Sequence, residues 1–194
     1  MNHRIIAIAV AAALATAATS TFADGGKSTF TTSLTGYQET PVTLNSPGSG
    51  EFAAKVSKDG KSIDYVLTYR DLPTTVLQSH IHFGRPALTG SIVLFLCTNL
   101  TPPPNVPVPP ACPQAPVGGA SAKVSGTLTA ANVISPTSTP QGLSGGDTGF
   151  AQIVAAIRNG AAYANVHTDQ FKSGEIRGAL GHPHDEADDD DNDD

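Results

Sequence analysis

The sequence predicts an all-β protein, an antiparallel Greek-key β-sandwich of seven to nine strands with one short helix near residues 149–158. Three observations carry this. Apolar and polar residues alternate with a period of two in several short runs. Turn-forming clusters separate the runs, among them Asn45–Gly50 (NSPGSG), Lys58–Lys61 (KDGK) and Asn159–Ala162 (NGAA). Apart from the leader at the N-terminus, only one stretch has apolar residues at helical spacing.

Phe30, Thr32 and Leu34 define a first strand, and residues 51–57 a second. In the third, Ile63, Tyr65, Leu67 and Tyr69 alternate with Asp64, Val66, Thr68 and Arg70, giving one apolar face. Residues 76–83 form a fourth. Ser91–Cys97 (SIVLFLC) is apolar on both sides, the pattern of a central strand. Residues 123–129, 161–168 and 175–180 alternate again. Phe150, Ile153, Val154 and Ile157 place the helix; Asp147 or Thr148 is available to cap its start and Gly160 to end it. Residues 98–119 are proline-rich and 132–146 flexible in composition, so neither is a central strand.

Alternation also sorts the chemically capable residues. Between Val76 and Phe83, the face carrying Leu77, Ser79, Ile81 and Phe83 is the more apolar and is expected to meet the core. His80 and His82 share the opposite, more polar face, about 7 Å apart. By the same logic Tyr163, Asn165 and His167 oppose Ala162, Ala164 and Val166, while Glu175 and Arg177 point outward with the histidines. Were strand order to bring them together, His80, His82 and His167 would offer three neutral nitrogen donors, a set that suits copper or zinc. Glu39, Tyr163, Asn165, Glu175 and Arg177 are the candidate supporting groups around that set. The competing reading is a polar network of imidazoles holding the sheet. Spacing alone does not fix the strand order.

The ends read as appendages. Residues 1–23 have a short basic start, an uncharged apolar run from Ile5 to Ala18 and small residues at Thr21–Ala23, the pattern of a signal peptide cleaved after Ala23. Residues 24–27 are a linker, 28–181 the domain and 182–194 a His-containing acidic tail expected to be disordered; eight of the ten residues from Asp185 are Asp or Glu. The formal charge of −6 therefore belongs to the tail, since the body carries ten Lys and Arg against nine Asp and Glu. With no basic patch and no Trp, nucleic acid is not an expected partner, and no second segment is apolar enough to span a membrane. The two cysteines, Cys97 and Cys112, flank the proline-rich run. In an exported protein, periplasmic or secreted, a disulfide is the expected state, with two free thiols or a metal-binding pair as the alternatives.

Three segments carry a family resemblance. Glu39-Thr40-Pro41 precedes a Gly-rich turn. His80-Ile81-His82-Phe83-Gly84 follows an alternating strand. Tyr163-Ala164-Asn165-Val166-His167-Thr168 runs into Gly174-Glu175-Ile176-Arg177-Gly178. Together they resemble the CHRD (chordin) domain family across about residues 28–180. The resemblance implies an extracellular all-β module. In chordin-like animal proteins such modules stand beside domains that bind secreted growth factors, and in bacteria they occur as exported single-domain proteins. The growth-factor role belongs to surroundings this chain lacks. A looser likeness joins HIHFG to the His-x-His strand of Cu/Zn superoxide dismutases. The chain departs from that pattern afterwards, because it has no His- and Asp-rich zinc loop and too few histidines for a two-metal site.

Function is thus expected to be that of a non-enzymatic binding or surface module for an extracellular protein or glycan, or else of a mononuclear copper or zinc protein using His80, His82 and His167. A hydrolase is the weakest reading. The chain has no Gly-x-Ser-x-Gly elbow, and Glu39, Glu51, Asp64, Asp71, Asp169 and Glu175 form no recognisable acid pair.

Overall fold

A computed structural model describes residues 28–134 and 141–181. The expected signal peptide, the linker and the acidic tail lie outside the described residues, as does part of the flexible stretch. Eight strands follow in chain order: β1 (Thr29–Thr35), β2 (Ser49–Val56), β3 (Ser62–Arg70), β4 (Val76–Phe83), β5 (Ser91–Thr98), β6 (Ala122–Thr129), β7 (Ala162–Thr168) and β8 (Ile176–Leu180). Every pair is antiparallel, and they form one sheet in the order β5-β4-β7-β8-β1-β2-β3-β6. The sheet curls until it is nearly a barrel, and Tyr65 on β3 donates its hydroxyl to the Leu96 carbonyl on β5, 2.6 Å away. A side chain at Gly126 on β6 would press on the Tyr65 ring that makes this bridge. The expected antiparallel all-β class is the one found, with its layers supplied by one continuous sheet.

Period-two alternation becomes the core directly. Ile63, Tyr65, Leu67 and Tyr69 are buried with Phe30, Leu34, Phe52, Ile81, Leu94 and Ile176, while Asp64, Val66 and Arg70 face out. Each such aliphatic or aromatic side chain contributes about 1.5–3 kcal/mol on burial. The helix, α1 (Gly146–Arg158), begins three residues before the expected start. Gly145, with no side-chain bond, occupies the N-cap, and Asp147 sits in the first turn instead of capping it. Its end is as expected. Gly160 adopts φ +63°, the Ala161 N–H reaches Ala156 O at 2.8 Å, and the Gly160 N–H reaches Ile157 O at 3.2 Å, the paired bonds of a Schellman stop. Phe150, Ile153, Val154 and Ile157 bury its apolar stripe.

One strand departs from expectation. Ser91–Thr98 is the first strand of the sheet order, not a central strand. Its two-sided apolarity reflects cover from outside the ladder. Val93 O accepts from Ile134, and Thr98 N–H donates to Pro110 O in the proline-rich segment. That segment also lies along the seam between β5 and β6, where Val106, Pro107, Pro109 and Pro110 share a cleft with Phe95, Gly126 and Leu128.

The segment is pinned at its far end. Cys97 and Cys112 form a disulfide across a separation of 15 residues. Asn99 donates to both Val76 O and Cys112 O and accepts from Cys112 N–H, and Gln114 bonds both backbone groups of Val76. Opening a loop of this length releases chain entropy worth about 3 kcal/mol. A Cys97→Ala/Cys112→Ala variant is therefore expected to unfold in urea with stability lower by about 3 kcal/mol and an m-value no smaller than the parent's, since the freed unfolded chain exposes more surface. A loss below about 1 kcal/mol would mean the Asn99 and Gln114 bonds hold the segment unaided.

Candidate metal centre

Register assembles the site. β4 pairs with β7 so that His80 stands opposite Asn165, His82 opposite Tyr163 and Gln78 opposite His167. β7 in turn sets Asn165 opposite Arg177 on β8, and β5 sets Phe95 opposite His80. Directly opposed residues of antiparallel strands point to the same face. Sequence reasoning placed His80, His82, Tyr163, Asn165, His167 and Arg177 on one kind of face. Adjacency of β4, β7 and β8 puts them in one place.

That face was expected to be the polar, outward one, and it is instead buried. His80 is 0%, His82 6% and His167 5% exposed, and Arg177 is 2% exposed. Two loops close over it. Arg177 donates to Thr40 Oγ1 at 2.6 Å and to the Arg85 and Leu88 carbonyls at 3.3 and 2.7 Å. Gly90 bonds twice: its N–H donates to Tyr163 Oη and its carbonyl accepts from His82 Nδ1 at 2.9 Å. Aromatic stacking fills the space between. The Tyr163 ring lies parallel to His82 at 4.6 Å, its other face carries the Arg177 guanidinium at 3.4 Å, and Phe95 meets His80 edge-on at 4.3 Å.

The hydrogen bonds fix the tautomers. A carbonyl only accepts, so His82 Nδ1 donates to Gly90 O and His167 Nδ1 donates to Lys172 O, 2.9 Å away. Each Nε2 is then unprotonated, and that of His167 lies 3.0 Å from the Asn165 side-chain amide. His80 Nδ1 lies 3.1 Å from His167 Nε2 and is its donor, which leaves His80 Nε2 unprotonated as well. His80 Nε2 and His82 Nε2 are buried with no hydrogen-bond partner among the described residues. Burial, which penalises the charged form, holds all three imidazoles neutral: His82 falls to about 4, and His80 and His167 are also lowered. One nitrogen from each ring lies within 4.8 Å of the others. Two nitrogens sharing an ion at about 2.0–2.1 Å would stand about 3.3 Å apart. The set therefore fits copper or zinc after a modest contraction, and two of its members already carry the back-bonded Nδ1–H that orients a metal-binding imidazole.

The two candidate carboxylates behave differently. Glu39 joins the edge of the site through Arg177. Its carboxyl is buried and Oε1 has no hydrogen-bond partner. Desolvation raises it to about 7 despite the opposing pull of Arg177. It packs against Gly174, whose φ of +129° and missing side chain make the room: a Cβ there would lie 2.5 Å from Oε1. Glu175 does not reach the histidines. It lies just before β8, where the alternation has not begun, and its oxygens accept from the hydroxyls of Ser46 and Thr168. Sequence reasoning missed the loop contributions of Thr40, Leu88, Gly90 and Lys172. Three of these act through the backbone and leave no side-chain signal to find.

Among the described residues, no helix is long and apolar enough to cross a membrane. No curated protein and no solved structure matches the chain. The CHRD domain family does match, over residues 30–180, a span that contains every strand from Phe30 onward, the helix and the three histidines. The chain belongs to the CHRD domain family.

Proposed function

We propose that the protein is an exported, non-enzymatic binding module, released by cleavage after Ala23, and that His80, His82 and His167 hold one copper or zinc ion within it. The observation that carries the metal reading is the pair of buried, partnerless Nε2 lone pairs on His80 and His82, in a cluster where one nitrogen from each of the three rings lies within 4.8 Å of the others. A buried acceptor without a partner costs about 1–3 kcal/mol. A purely structural network would be expected to satisfy these two atoms, whereas a bound ion gives both a partner. The disulfide supports the exported state. Exposed apolar side chains at Tyr37, Val42, Leu88, Val108 and Val117 all lie outside the strands, and such loops are where an extracellular protein or glycan would dock.

The test is ion stoichiometry and affinity on the full chain with His182 and His184 changed to Ala, so that the tail histidines contribute nothing. One copper or zinc per chain is expected, with affinity reduced at least 100-fold in His82→Ala and in His167→Ala. Circular dichroism would confirm that each variant is folded. Folded variants that bind as well as the parent chain would refute the metal reading.

A further inference from the structure

We infer that the three-histidine centre is built for a monovalent ion, Cu(I), in preference to Cu(II) or Zn(II). This rests on the metal reading above and carries it further, to the charge of the ion.

The donor set has no negative charge. The only grouping of His, Cys, Asp and Glu side chains among the described residues that could hold an ion is His80, His82 and His167. The nearby anionic groups are not among the ligands. Glu175 is bonded to Ser46 and Thr168, both cysteines are in the disulfide, and Glu39 faces Arg177 and Gly174. An ion bound by three neutral imidazoles keeps its whole charge in a site whose ligands are at most 6% exposed. Desolvation cost rises with the square of the charge, so a divalent ion incurs about four times the penalty of a monovalent one before ligation offsets it.

The fixed charge beside the site has the same sign as the ion. The Arg177 guanidinium sits on one face of Tyr163 while His82 stacks on the other, with the Tyr163 ring between them. Repulsion from it is twice as large for a divalent ion as for a monovalent one. Coordination number points the same way. Zn(II) held by three histidines completes its tetrahedron with a water, which a cluster this buried must also admit, and Cu(II) prefers a tetragonal set. Cu(I), with a filled d shell, is satisfied by three, and Phe95 packed edge-on against His80 lines the surroundings with carbon.

The test is an anaerobic titration of the full chain, again with His182 and His184 changed to Ala. Cu(I) is presented against a bicinchoninate competitor, and Cu(II) and Zn(II) against chelators of known affinity. Affinity for Cu(I) is expected to exceed that for either divalent ion by at least 100-fold, with an X-ray absorption edge typical of three-coordinate, all-nitrogen Cu(I). Equal or tighter binding of Zn(II) or Cu(II) would overturn the inference and leave the metal reading intact. If none of the three ions binds at the histidines, the metal reading itself falls and the inference falls with it.

Discussion

Arg177→Met is expected to lower stability by about 4 kcal/mol, the scale of removing one partner from a buried, hydrogen-bonded charge. Methionine keeps the apolar stem but removes every donor. Thr40 Oγ1, Arg85 O and Leu88 O each lose their N–H, the Tyr163 ring loses its cation, and Glu39 loses the positive charge that partly offsets its burial. Because those partners sit on two separate loops, the loss should appear as loosening of residues 39–44 and 85–90 before global unfolding. Lys is not expected to rescue it, since an ammonium cannot lie flat on Tyr163 while bonding in three directions. Urea unfolding reads the global loss, and hydrogen exchange at Gly90 reads the local one. A loss under about 1 kcal/mol, or full rescue by Lys, would show that the loops close without the guanidinium.

Acidification is expected to destabilise the metal-free protein steeply between about pH 6.5 and 4, where unfolded histidines take up protons that the buried cluster refuses. His82, moved from 6.5 to about 4, accounts for about 3 kcal/mol on its own. His80 and His167 act in the same direction. These contributions are complete above pH 6.5 and lost as pH falls through the folded values. Glu39 has the opposite sign. Its carboxyl stays protonated in the fold up to about 7 but ionises near 4.5 when unfolded, so it penalises the fold as pH rises through that interval, by about 3 kcal/mol once fully ionised. Three histidines outweigh one glutamate, so the net profile still falls toward acid. Glu39→Gln should raise the melting temperature at pH 8 and steepen the acid limb. Melting temperature from pH 4 to 8 for both proteins checks this. A parallel pair of curves would mean that Glu39 does not titrate in that range.

Much of the fold is legible because alternation reports burial, and burial here is mostly one-sided: β3 could be oriented residue by residue. The same signal misled at Ser91–Thr98. Apolarity on two faces says that both are covered, and here the outer cover is a proline segment instead of neighbouring strands. The histidines show the complementary limit. Composition marked their face as polar and therefore outward, yet neutral imidazoles can be buried where rings stack and carbonyls accept from Nδ1. Those carbonyls belong to Gly90 and Lys172, one of them in the loop after β4, and no side-chain pattern announces them. Convergence itself depended on β4, β7 and β8 being neighbours, although more than 70 residues separate β4 from β7 in sequence. Glu175 was misplaced for a local reason, since alternation was extended one residue beyond the strand that justified it.

The proline segment along β5 has a consequence for how the molecule meets its own copies. An open sheet edge is a template on which another chain can add a strand, the first step of edge-to-edge aggregation. Pro110 accepts from Thr98 yet has no N–H to give, and the prolines around it are equally unable to donate. The segment therefore ends the ladder without presenting a new donor row to another chain. Anchored by the disulfide, it acts as a guard against self-association in a nearly closed sheet whose last two edges never pair with each other.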